Sequence, residues 1–275
     1  MRVALIQLAY GDDESLEARV ERVVGLVHEQ RGHDLVVLPE LWPAGGFSYR
    51  DWEERAQDVG GSVAQALAEA ARSAGVFLHA GSIVEHPASG ETGPEGKSLW
   101  NTSILVDAQG NRVATYRKIH RFGFAGGEPK LMEAGEDLTL VDLPDGAGGS
   151  VHAGLSTCYD LRFPELYRAQ IDQGATMFVI PAAWPMARVE HWSLLLRARA
   201  IEDQCFVIAC NTAGTHARTP MGGHSAVVSP TGEVLAEAGE DEEVLSVEIT
   251  PADALKVRKD FPVLDDRRLS LPVDR

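Results

Sequence analysis

Short apolar runs alternate along the chain with stretches whose apolar residues recur every three or four positions. VALIQL is followed by a segment that puts Leu16, Val20, Val23, Val24 and Val27 on one helical face, and then by DLVVLPE, a strand–helix–strand opening. A second helical pattern, capped by Ser62 and stopped at Gly75, turns Val63, Leu67, Ala70 and Ala74 inward and leads to the strand-like VFLHAGSIVE. HPASGETGPEGKS has the Gly, Pro and Ser content of an exposed loop, and WNTSILVDAQGNRVATYRK reads as a hairpin turning at AQGN. VHAGLSTC then runs straight into the helical PELYRAQIDQ.

The second half repeats the plan: TMFVIPA, a helix through HWSLLLRARAIEDQ, CFVIACN, and the hairpin HSAVVSPTGEVLAEA. The hairpins match at constant offset, because Ser103, Val106, Gly110, Val113 and Ala114 correspond to Ser225, Val228, Gly232, Leu235 and Ala236. Each half then supplies one mixed sheet with helices on a single face, and the two bare sheet faces must bury against each other. The pattern predicts an α/β fold, a four-layer α-β-β-α sandwich of two mixed sheets with an internal pseudo-repeat. Length agrees: 275 residues with 44% apolar content suit a single domain over 1–275. The polar tail, 253–275, reads as a C-terminal arm that needs another surface to order it, a partner subunit being one candidate.

Composition narrows the function. A formal net charge of -16 argues against nucleic acid, which requires clustered Lys and Arg to replace counterions. The opening MRVALIQLAYGDDES is too short in its apolar run for a signal-peptide core, and no stretch approaches the roughly 18 apolar residues of a membrane span. Three cysteines without paired spacing fit a reducing compartment, and the cytoplasm is the expected location.

Three reactive side chains fall where strands end: Glu40 after LVVLP, Lys118 after VATYR and Cys158 after HAGLST. Sites in layered α/β proteins gather at the carboxyl ends of strands. Taken singly, each has a bland reading: a solvated acid, an exposed hairpin lysine, a packed thiol. Cys158 stands apart from Cys205 and Cys210, which flank FVIA in an apolar strand and read as inert core. CYDLRFPELYR makes a sharp strand-to-helix turn, and a helix N-terminus favours thiolate. The histidines His120, His152, His191 and His224 lack metal-ligand spacing and no phosphate loop is present, so neither a metal nor another cofactor is implied.

With these residues in view, LPELW, YRKIH and STCYDLRFPE resemble the three signature blocks of the nitrilase, or carbon–nitrogen hydrolase, superfamily, in order and at comparable separations. PAAWP, HWSLLLRARAIEDQCFVIACNTAG and GGHSAVVSPTGEVLAEAGE extend the resemblance over nearly the whole chain. CYDLRFPEL is most similar to the branch of ω-amidases and deaminated-glutathione amidases. The resemblance implies a cysteine-nucleophile hydrolase of non-peptide C–N bonds, acting on a small-molecule amide through a thioester with release of ammonia. It makes Cys158 the nucleophile, Glu40 the general base and Lys118 the oxyanion stabiliser together with the backbone amide of Tyr159. A second Glu in the family holds the Lys, and Glu128 is the positional match, with Glu133 the second choice. The resemblance also implies a homodimer or higher homo-oligomer.

Around this set, Arg162 reads first as a structural partner of Asp160 or Glu165, with substrate binding as the alternative. Arg188 in PAAWPMARVEHW is placed to pair with a substrate carboxylate, a departure from the small and hydroxyl residues common in ω-amidases. Ala183, Trp184 and Phe124 are candidate pocket walls. Within the same chemistry an N-carbamoyl compound or a nitrile is the competing substrate. Outside it, the competitors are a non-catalytic binding module and a thiol redox protein, and the latter lacks a resolving C-x-x-C partner.

Overall fold

Alternation within the buried strands decides how the layers stack. The computed structural model describes residues 1–123 and 126–269. The first half runs β1 (Arg2–Gln7), α1 (Leu16–His28), β2 (Leu35–Val37), α2 (Ser62–Ala74), β3 (Phe77–Glu85), β4 (Trp100–Val106) and β5 (Arg112–Arg117). After a single helical turn, α3 (Glu128–Leu131), come β6 (Leu140–Pro144), β7 (Ser150–Leu155), α4 (Pro164–Asp172), β8 (Met177–Pro181), α5 (Val189–Asp203) and β9 (Phe206–Cys210). The chain ends through β10 (Thr215–His216), β11 (Thr219–Pro220), β12 (Ala226–Val228), β13 (Val234–Glu237), β14 (Glu243–Glu248) and α6 (Asp253–Asp260).

Two six-stranded mixed sheets result, ordered β14-β1-β2-β3-β4-β5 and β13-β12-β9-β8-β7-β6. In β1, Val3 and Leu5 face the other sheet while Ala4 and Ile6 face α1 and α2; in β8, Met177 and Val179 face inward while Phe178 and Ile180 face α4 and α5. Strands buried on both faces read as continuous apolar runs for this reason. Each fully buried Val, Leu or Ile contributes about 1.5–3 kcal/mol, so the inter-sheet layer is a major source of stability. The predicted α-β-β-α sandwich is therefore the observed fold.

The pseudo-repeat extends to fine detail. Both hairpins carry a register shift at equivalent places, Leu105/Val106 and Val227/Val228. Gly110 and Gly232 take φ of +83° and +82° in the turns, a left-handed conformation that glycine adopts without strain. Asp107 and Ser229 hold the two turns alike: the Asp107 carboxylate accepts from the Gln109 and Asn111 amides, the Ser229 hydroxyl from those of Thr231 and Glu233.

Two local expectations need correction. Ser62 begins α2 rather than capping it; the cap is Gly61, which makes no side-chain bond, while Gly75 closes the helix at φ +70° as expected. VHAGLSTC does not run straight into α4, because a 3-10 turn over Cys158–Arg162 intervenes. The first part of the polar tail packs on its own chain: Ala254 is buried, Arg258 donates to the Ala175 and Asp203 carbonyls, and Gln204 donates to the Phe261 carbonyl. Among the described residues no helix is long and apolar enough to cross a membrane.

Candidate active site

Glu40 follows β2 at the edge of the inter-sheet layer, and two contacts fix its loop. Its amide donates to the Ala182 carbonyl at 3.3 Å, and the next amide, that of Leu41, donates to the Ser82 hydroxyl at 3.0 Å. Gly81 makes this approach possible. A Cβ there would lie 2.0 Å from the Pro39 carbonyl oxygen, and its φ is +69°. Lys118 follows β5 and its backbone is held by Asn101 and Gly135. Cys158 follows β7 in the other sheet at φ +49°, a left-handed conformation that costs a non-glycine residue about 1–3 kcal/mol.

The ends of β2, β5 and β7 thus bring Glu40, Lys118 and Cys158 into one place, each at most 7% exposed. Glu128, the first residue of α3, joins them. The Lys118 ammonium donates to Glu40 Oε1 at 2.7 Å and to Glu128 Oε2 at 2.8 Å. Asn101 Nδ2 donates to the same two carboxylates at 2.8 and 2.6 Å, and the Ala183 amide donates to Glu40 Oε2 at 2.8 Å. The Phe122 amide donates to Glu128. A carboxylate pair this buried persists only because an ammonium and several N–H donors offset its desolvation. Glu133 lies elsewhere, accepting from the Lys97 amide, so Glu128 is the acid at Lys118.

Electrostatics separates the groups. Burial disfavours the Lys118 ammonium, but Glu128, Glu40 and the Cys158 position outweigh it and hold the lysine charged, well above its ordinary range. Burial raises the Glu128 carboxyl above its usual value, against the pull of Lys118. Burial, followed by the Glu40 carboxylate, pushes the Cys158 thiol well up, with Lys118 opposing. This direction runs against the pull toward thiolate that a helix N-terminus exerts. Burial and the adjacent Glu40 both favour the thiol form, so the geometry sets a base beside Cys158 to take its proton. Cys205 is fully buried and pushed to about 12 by burial, and Cys210, also fully buried, is raised as well, in keeping with inert core positions.

Two small cavities of about 20 Å³ each meet at Cys158. One is lined by Glu40, Phe47, Tyr49, Lys118, Glu128 and Ala183. The other holds Tyr159, Arg162, Ala183, Trp184 and Arg188. Trp184 is a wall as expected, its indole N–H donating to the Arg188 carbonyl at 2.7 Å. Arg188 stands 5.8 Å above the Phe122 ring. Arg162 does not form the expected pair with Asp160 or Glu165. It stacks 4.7 Å over Trp184 and bonds His191 at 3.2 Å, because Asp160 is saturated by the Thr157 and His120 amides, the Tyr116 hydroxyl and the His120 ring. Phe124 lies outside the described residues.

Sequence reasoning missed Asn101, Phe47, Tyr49, Phe122 and the Asp160 network. Asn101, an amide inside the buried strand WNTSILV, was a readable signal, since a buried amide needs partners. The aromatics carried none.

Known proteins place this arrangement. The chain matches the family described as carbon–nitrogen hydrolase over residues 2–259. It is 45% identical to a 2-oxoglutaramate amidase of Paenarthrobacter nicotinovorans, over 98% of this chain and 90% of that one. It is 38% identical to a 2-oxoglutaramate amidase of Bacillus subtilis, over 88% of each. Among solved structures it is similar to Saccharomyces cerevisiae Nit3, of the nitrilase superfamily, with a TM-score of 0.84, 30% identity and coverage of 98% and 97%. It is also similar to an amidase of Nesterenkonia sp. AN1, TM-score 0.78 and 26% identity over 97% of both chains, a mutant of which carries the acetamide moiety of fluoroacetamide covalently on its active-site cysteine. With its fold and its family match in agreement, the chain belongs to the carbon–nitrogen hydrolase family of the nitrilase superfamily.

Proposed function

We propose that the protein is an ω-amidase, hydrolysing the terminal carboxamide of a small carboxylate to release ammonia, and that Cys158, Glu40, Lys118 and Glu128 do the chemistry. The observation that carries this reading is the place of Cys158 at the junction of a cavity lined by Glu40, Lys118 and Glu128 and one lined by Arg162 and Arg188. The 2-oxoglutaramate amidase relatives, named for a substrate that carries a carboxylate and a terminal amide, support it.

Substrate binds with its carboxylate toward Arg162 and Arg188 and its amide carbon at Cys158. Glu40 takes the thiol proton as sulfur attacks, so the thiolate exists only when needed. The developing oxyanion is held by the Lys118 ammonium and the Tyr159 amide, which lies in the first turn of the 3-10 segment, where N–H groups lack intrahelical acceptors. Glu40 returns the proton to nitrogen, the C–N bond breaks and ammonia leaves. Water, deprotonated by Glu40, then attacks the thioester, and the proton passes back to sulfur. Glu128 keeps Lys118 charged and aimed.

The test is ammonia release from a panel of ω-amides, nitriles and N-carbamoyl compounds by the wild type, Cys158→Ala and Glu40→Gln. Turnover of ω-amides by the wild type alone is expected. Ammonia from a nitrile or carbamoyl compound but from no amide would overturn the substrate class.

A further inference from the structure

Phe47 is the one described residue that lines both cavities at Cys158 and also a third, of about 320 Å³. Its ring centroid is 6.1 Å from that of Phe122 and 6.0 Å from that of His216. The third cavity is bounded by Tyr10, Arg50, Arg55, His216 and Arg218. Asp12, Asp51 and Arg19 line it too, but Asp51 is paired with Arg55 at 3.3 Å and Arg19 with Glu14, while neither Arg50 nor Arg218 has an ion-pair partner among the described residues, so two unpaired cations face one aspartate, Asp12. His216 is 1% exposed and stacked on Tyr10 at 4.5 Å, yet neither ring nitrogen has a hydrogen-bond partner. Burial lowers its pKa to about 4, so at neutral pH it is an imidazole with one donor and one acceptor unused. A buried polar group without a partner is uncommon enough to call for an explanation.

The amide nitrogen must lie by Glu40, its proton donor, while the carboxylate lies by the arginines of the other cavity. Any substituent on that nitrogen therefore extends away from Arg162 and meets the wall made by Phe47 and Tyr49. We propose that Phe47 is a partition that restricts the leaving group to ammonia, and that the cavity behind it is a preformed subsite for the anionic N-substituent of a secondary amide. This rests on the amidase reading above. The chemistry is unchanged: sulfur attacks the carbonyl, Glu40 passes the thiol proton to nitrogen, the C–N bond breaks to free an amine, and water hydrolyses the thioester.

The experiment compares kcat/KM for succinamate, its N-carboxymethyl derivative and its N-ethyl derivative in the wild type, Phe47→Ala and Phe47→Leu. The ratio of N-carboxymethyl to primary amide should rise at least about tenfold in Phe47→Ala, the scale on which removing pocket bulk changes discrimination, and less in Phe47→Leu. The N-ethyl ratio should rise less than the N-carboxymethyl ratio. Adding Arg218→Ala to Phe47→Ala should raise KM for the N-carboxymethyl amide several-fold and leave the N-ethyl amide unchanged. Ratios unchanged while succinamate is still hydrolysed would overturn the partition, as would loss of all turnover in both Phe47 variants. Equal gains for both derivatives would overturn the anionic subsite. Failure of the wild type on every primary amide would instead sink the amidase reading itself.

Discussion

Cys158 at φ +49° and Leu41 at φ +46° bracket the site with backbone conformations that a folded protein tolerates only where the surroundings enforce them. Beside them, the two carboxylates depend on donors more than on solvent. Burial and Glu40 push the Cys158 thiol up, so alkylation of the free enzyme by iodoacetamide should keep rising with pH beyond the ordinary thiol range near 8.5. A plateau below that pH, fitted from rate against pH, would contradict it. Removing the base by Glu40→Gln should lower kcat by about 10²–10⁴ while the fold persists by circular dichroism. Glu128 already titrates above an ordinary glutamate, because burial disfavours its charge. Asn101→Leu deletes a donor to both carboxylates, which stabilises their protonated forms. The acid limb of the kcat/KM profile should therefore move to higher pH, and an unmoved limb would show that Asn101 is only packing.

At the scale of elements, the site is made by the ends of strands from different sheets, and Gly81 in β3 lets the loop after β2 that carries Glu40 pass close by. Gly81→Ala places a methyl against the Pro39 carbonyl and leaves alanine at φ +69°, so a loss of about 2–4 kcal/mol is expected in chemical denaturation, with a larger fall in kcat than at control sites remote from β2. Much of this was readable beforehand. Periodicity gave the layers and the hairpins, and three strand ends gave Glu40, Lys118 and Cys158. A second repeat also lay in the text, LVVLPELWP against MFVIPAAWP, in which Pro39 and Trp42 match Pro181 and Trp184 while Ala182 stands in the place of Glu40. The structure carries that symmetry into contacts, since Ser103 bonds Thr157 as Ser225 bonds Gln7. What could not be read was side-chain geometry. Arg162 turned from the neighbouring acids because Asp160 was already taken, and Phe47 entered the site from a loop with no periodicity.

For the whole molecule, pH acts through a carboxyl far from the chemistry. Asp203, fully buried in α5, has Arg168 at 3.3 Å but no hydrogen bond to either oxygen, and burial lifts its pKa to about 7. A folded value above the unfolded one, near 3.9, means its contribution is full below pH 4 and is lost as pH rises through 7. Asp203→Asn should thus gain stability relative to the wild type between pH 5 and 8.5, by roughly 2–4 kcal/mol in urea titrations. A constant difference across that range would refute the assignment. The central claim is that the sandwich brings a cysteine from one sheet under a base and a cation from the other to form an acyl enzyme. Its most direct test is mass spectrometry of enzyme quenched during turnover of an ω-amide. The account predicts a mass gain equal to the substrate acyl group on the peptide holding Cys158, and neither gain nor ammonia in Cys158→Ala. Ammonia release by Cys158→Ala, or an acyl group found on another residue, would contradict it.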